Sequence, residues 1–192
     1  MHHSEAYRRA YHPAYRVVKK AYADFLPAFI AIDKLTAEKA PVTVAIDGLC
    51  GSGKTTFAAL LQSVYDCNLF HADDFYLPMS MRTPERYATP GGNVYWERIL
   101  SDILEQIPKN ESFSYRVFDC GVMDLGDAVQ VTPKTLNILE GSYSTHPELI
   151  GRYDLKIFLK TSPETQSARI LKRNGPCLLY TSDAADDLIG VD

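Results

Sequence analysis

The chain has 192 residues, enough for one domain with a sizeable core but not for two. Apolar residues make up 46% and charged residues 23%, as in ordinary globular proteins, and the net charge of -4 argues against a nucleic-acid binder, which carries a basic excess. No apolar run approaches the length of a membrane span, and the four cysteines show neither CxxC pairs nor disulfide-like spacing, which suits a reducing cytoplasm.

Residues 5–39 predict helix, because Tyr7, Tyr11, Tyr15, Val18, Tyr22 and Phe25 recur three or four apart on one face; Pro13 and Pro27 should break it into pieces. The tyrosine stripe is expected to pack on the chain's own core rather than on a partner. Pro41 opens a strand, VTVAID, whose unbroken apolar character suits burial in a parallel sheet. A glycine-rich turn follows, then a helix over 54–64. NLFHADDFY reads as a second strand ending in acids. Residues 78–94, rich in Pro, Gly and Arg, form a long loop of the kind that is functional or disordered. NVYWERILSDILEQI resumes a helical period, SFSYRVFD alternates like a strand, and TLNILEG and YDLKIFLK read as buried strands. Thr161, Ser162, Pro163 and Glu164 supply a cap, a first-turn proline and an early acid for a last helix, which carries Arg169, Lys172 and Arg173. Strands alternating with helices indicate an α/β fold with a mostly parallel sheet.

The chemistry concentrates in GLCGSGKT, Gly48 to Thr55, which matches G-x-x-x-x-G-K-[ST] after a predicted strand and before a predicted helix. In such a loop the glycines let backbone N–H groups converge on phosphate oxygens, and the helix N-terminus adds positive charge. Lys54 would reach the β- and γ-phosphates and Thr55 would ligate Mg²⁺; Leu49, Cys50, Gly51, Ser52, Gly53 and Thr56 complete the ATP-binding stretch. The Cys50 sulfur is read as incidental. Asp73 and Asp74 stand at the end of the next strand, where parallel sheets bind ligands, and a carboxylate there could take the proton of an attacking hydroxyl; acids in that place also simply solvate a loop. Glu140 closes the run LNIL and occupies the Walker-B position, a second candidate metal ligand. Arg169 and Arg173, four apart on one helical face, either close over a transferring phosphoryl group or form a solvated basic face. His71 and His146 lack metal-ligand spacing. A guanine-reading N-K-x-D run is absent, which speaks against a GTPase.

Taken in order, IDGLCGSGKTT, HADDFYLP, RTPERYATPGGNVYWERI, FDC, LEGSYSTHPEL, YDLKIFL and RILKRNG resemble the bacterial uridine kinase-like proteins, P-loop kinases of the superfamily that includes phosphoribulokinase and pantothenate kinase. The resemblance covers about Pro41 to Gly175. It implies a three-layer P-loop NTPase fold of nucleoside/nucleotide-kinase type and transfer of phosphate from ATP, with Mg²⁺, to a nucleoside hydroxyl. Other acceptors, such as pantothenate or a sugar phosphate, a hydrolysing NTPase, and an inactive nucleotide-binding fragment are the alternatives. It further implies Asp73 as general base and metal ligand beside Thr55 and Glu140, Arg169 and Arg173 as lid cations, and Asp74, Tyr76, Arg86, Asp119 and His146 facing the acceptor. Two features depart from the pattern. Tyr95 stands where the family has an acid after GGNV. From Cys177 to about Asp187 the chain reads like a sequencing-library adapter translated in frame. The expected organisation is therefore a helical segment over 1–40, a kinase domain over 41–176 lacking its last strand, and a non-native tail over 177–192.

Overall fold

The computed structural model describes residues 3–14 and 18–174. The 177–192 tail, Tyr15 and the Arg173 side chain lie outside the described residues, as do the expectations that rest on them.

The two inner strands of the sheet are largely apolar on both faces; the edge strand over Leu155–Leu159, expected to be buried, instead alternates half-buried and exposed residues. β1 (Val42–Gly48) is buried at all seven positions, as is every residue of β5 (Leu136–Glu140). With β2 (Cys67–His71) and β6 (Leu155–Leu159) they form a four-stranded, all-parallel sheet in the order β2-β5-β1-β6. Alternate residues point to opposite layers. Val42, Val44 and Ile46 of β1 join Leu136 and Ile138 of β5 against α3 (Leu26–Glu38) and α4 (Lys54–Gln62), where Ile32, Phe57 and Leu61 are buried. On the other face Ala45, Phe70 and Leu139 meet Ile99, Ile103 and Leu104, which belong to a helix that starts as α5 (Trp96–Arg98) and widens to π-helix over Ile99–Leu104. Each fully buried large aliphatic side chain contributes about 1.5–3 kcal/mol, so two separate cores hold three layers together.

Two further features differ from the sequence expectation. β3 (Phe113–Asp119) does not enter the central sheet. It pairs antiparallel with β4 (Asp124–Val131), a strand not foreseen because most of its residues face solvent and no apolar alternation marks it. Tyr115 and Val131 tie this hairpin to the second core. The tyrosine stripe also splits. α1 (Glu5–Tyr11) buries nothing, and Tyr7 and Tyr11, 38% and 71% exposed, stack on each other at 4.7 Å rather than on the core. His12 takes a left-handed cap conformation and Pro13 follows it, so the stripe's face is not continuous. Tyr22, in α2 (Lys20–Asp24), and Phe25 do pack on the core.

Candidate active site

The carboxyl ends of β1, β5 and β2 open into one cleft of about 750 Å³. Its floor is the loop after β1. Gly48, at φ +145°, sits so close to β6 that a Cβ would stand 2.4 Å from the Leu159 carbonyl oxygen, so the loop needs a residue without a side chain there. Lys54 opens α4 and is only 9% exposed. Its ammonium donates to Gly48 O at 2.7 Å, Leu49 O at 3.1 Å and the Ser142 Oγ at 3.2 Å, so all three N–H donors have partners within the loop and its neighbour. The buried Ser52 Oγ has no protein partner and belongs to the same loop.

Next to the lysine, Thr55 Oγ1 donates to Glu140 Oε1 at 3.1 Å, which joins the first turn of α4 to the tip of β5. The same carboxylate oxygen contacts His71 Nδ1 at 2.7 Å. His71 and Glu140 are register partners on adjacent strands, so their side chains share a face. This hydrogen bond raises the His71 imidazole above the ordinary histidine range, against the opposing effect of burial. Thr55, Glu140 and Asp73 present hard oxygen donors to one cleft, a set that fits Mg²⁺ completed by phosphate and water; among the described residues no cluster of three His, Cys, Asp or Glu exists that would hold a metal by itself.

β2 stops at His71, and Asp73 and Asp74 lie in a 3-10 turn over Ala72–Asp74 rather than in the strand itself. The turn separates the two acids. Asp73 lines the cleft and accepts a hydrogen bond from Tyr76 at 3.3 Å. Asp74 does not line it; burial pushes its carboxyl up, and Tyr115 O–H points to it at 3.5 Å. Tyr115 in turn is pushed up to about 12, first by its own burial. Gly141 keeps this arrangement tight: at φ +147° its missing Cβ would lie 2.5 Å from Ala72 Cβ, beside Asp73.

Asp47, the last side chain of β1, has a role that the motif does not announce. Its carboxylate accepts from Gly48 N at 2.6 Å, Tyr143 N at 3.1 Å and Thr145 N at 2.9 Å, and from Thr145 Oγ1. It thereby fastens the segment after β5 to the start of the glycine-rich loop and holds Tyr143 at φ +62°, a left-handed conformation that costs a bulky residue energy. The only sequence signal is an acid at the last strand position.

Of the residues predicted to face an acceptor, Tyr76 lines the cleft, together with Asn93 and Tyr143, which sequence reasoning missed. Arg86 does not line it. Its guanidinium makes a two-point ion pair with Glu97 at 2.7 and 2.8 Å and donates to Gly92 O and Val94 O, so it pins the loop that carries Asn93. His146 stacks on Trp96 at 5.3 Å, and burial lowers it below the usual histidine range. Asp119 closes the β3 end of the hairpin, accepting from Gly121 N at 2.7 Å, and is exposed. On the opposite wall α6 (Pro163–Asn174) carries Arg169, which donates to Gly51 O at 2.9 Å and Ser52 O at 3.2 Å, while Ile170 is buried beside the loop.

No profile of a known protein family matches the chain, and no curated protein matches it. Solved structures do. A possible uridine kinase from Bacillus stearothermophilus is 18% identical, with a TM-score of 0.55 over 86% of this chain and 97% of the other. TT1252 from Thermus thermophilus (18% identical, TM-score 0.45, 78% and 84% covered) and the YGR205w protein (18% identical, TM-score 0.42, 62% and 51% covered) are more distant. The Bacillus protein shares the α/β architecture with a parallel central sheet.

Proposed function

We propose that the chain is a kinase that transfers the terminal phosphoryl group of ATP to a hydroxyl of a small metabolite, with a nucleoside as acceptor. The observation that carries this reading is the convergence in one cleft of a phosphate loop with a buried lysine, the Thr55–Glu140 pair and a separate carboxylate, Asp73. Loop N–H groups and Lys54 would hold the phosphates, the ammonium exchanging its loop carbonyls for phosphate oxygens. Thr55, Glu140 and Asp73 would hold Mg²⁺, which offsets phosphate charge when bound. Asp73 orients the acceptor hydroxyl and takes its proton. The new bond forms from that oxygen to the γ-phosphorus, the bond from the γ-phosphorus to the bridging oxygen breaks, and ADP leaves. Positioning and preorganised charge supply most of the acceleration.

The acceptor wall supports a nucleoside. Tyr76 and Tyr143 offer aromatic faces and Asn93 an amide, groups suited to a planar base and its sugar hydroxyls. The resemblance to uridine kinase-like proteins and the shared fold with the Bacillus protein point the same way. The test is ADP release, with mass detection of the product, over a panel of nucleosides, pantothenate and sugar phosphates. Acceptor-dependent ADP formation is expected, and Lys54→Ala should lower it on the order of a hundredfold or more. ADP and free phosphate formed without any acceptor would establish hydrolysis instead, and nucleotide binding without turnover would overturn the enzyme reading.

A further inference from the structure

A triphosphate on this loop has two ends, and the sheet order says where each goes. Asp73 and Glu140 belong to the β2 and β5 side of β1, so on the kinase reading the transferring phosphate would lie there. β6 lies on the other side of β1, and α3 packs beside it. α3 leads by a short connection into the start of β1, at the edge away from the phosphate loop. Its first residues therefore stand at the loop end of the sheet. There Phe25 stacks on Phe57, in the first turn of α4, with ring centroids 4.1 Å and planes 27° apart. Phe57 is 1% exposed and belongs to the core, whereas Phe25 is half-buried and lines the cleft with Thr56. α3 is held in this place by contacts away from the loop: Tyr65 O–H donates to Asp33 at 2.7 Å, and Phe29 lies 6.0 Å from the Tyr65 ring.

We infer that Phe25, supplied by the N-terminal segment, is the aromatic seat on which the purine ring of the phosphate donor stacks. The inference rests on the kinase reading above and adds a residue that lies outside the phosphate-loop motif. A planar base gains from an aromatic face that is already fixed, because little side-chain freedom is lost on binding. Phe25 meets that condition through its stack on a buried neighbour.

The test compares two probes, ATP and inorganic tripolyphosphate, each with Mg²⁺, by calorimetry on the full chain. Tripolyphosphate engages the loop but has no base. Phe25→Leu keeps apolar packing and removes the stack; it should weaken ATP by about tenfold and tripolyphosphate by less than about twofold. Phe25→Trp should bind ATP at least as tightly as the original. Equal losses for both probes in Phe25→Leu would mean that Phe25 only props the loop, and unchanged ATP affinity would mean that the base lies elsewhere; either overturns the inference. A wild-type protein that binds tripolyphosphate as tightly as ATP overturns the inference but leaves the phosphate-loop assignment standing. One that binds neither overturns both.

Discussion

Asp47→Asn is a small change at a residue that does not line the cleft, and the structure gives it a large cost. The carboxylate has two oxygens, one accepting from Gly48 N and Tyr143 N, the other from Thr145 N and the Thr145 hydroxyl. An amide has a single acceptor oxygen. Placed toward Gly48 and Tyr143, it turns its NH₂ to Thr145, whose hydroxyl can reverse and accept but whose backbone N–H cannot. One buried donor is then unpaired, at about 1–3 kcal/mol, and the remaining bonds lose their charge assistance, at about 1 kcal/mol more. The loss of about 2–4 kcal/mol is a large share of the stability of an ordinary domain, on the order of 5–15 kcal/mol. With a urea slope of about 2 kcal/mol per molar, the unfolding midpoint should fall by about 1–2 M. Asp47→Ala, which leaves every donor unpaired and the left-handed Tyr143 unsupported, should fall further. Activity should drop too, since the loosened segment carries Ser142, an acceptor for Lys54. Urea unfolding followed by Trp96 fluorescence reads the midpoint. A shift below about 0.3 M for Asp47→Asn, or an alanine variant no worse than the asparagine one, would refute the account.

The remaining predictions concern the cleft and its rim. Asp73→Asn should cut kcat by about a hundredfold or more with ATP affinity nearly kept, whereas Asp74→Asn should leave kcat within about threefold, as steady-state kinetics and ATP titration will show. Because burial holds the Asp74 carboxyl above its ordinary value, that residue opposes folding once ionised; Asp74→Asn should therefore be more stable than the original at neutral pH, with the advantage fading as pH falls through the raised folded value and gone below the ordinary carboxylate value. Arg169→Ala should lower kcat about tenfold or more and ATP affinity by less, since its partners are loop carbonyls and the cation is free to tighten on developing phosphate charge. His146 is held below its ordinary value by burial, so the unfolded chain binds its proton first as pH falls. Its contribution is complete above about 6.5 and is lost as pH drops through the lower folded value; His146→Phe, which keeps the ring on Trp96, should lose less stability than the original between neutral pH and pH 5.

Some of this could be read from residues in line. The glycine-rich loop is a local object: glycine spacing, a lysine, a threonine and the apolar run before them settle backbone shape and helix start within a dozen residues, and the structure forms that strand, turn and helix. Strands buried on both faces announce themselves as continuous apolar runs, so the α/β class and the inner strands β1 and β5 were legible; the run in β6 did not reveal that it is an edge strand with Lys156 and Phe158 exposed. What depends on neighbours across the sheet was not. Glu140 and His71 are far apart in sequence and meet only because β2 lies beside β5. Two adjacent acids look equivalent until a 3-10 turn points one into the cleft and the other toward Tyr115. An arginine in a glycine-rich loop looks like a ligand group until Glu97 engages two of its nitrogens. Asp47 and Phe25 carry no motif at all; strand order and helix packing bring one to the loop's anchor and the other to its rim, because hydrogen-bond register and burial are decided between segments, not within them.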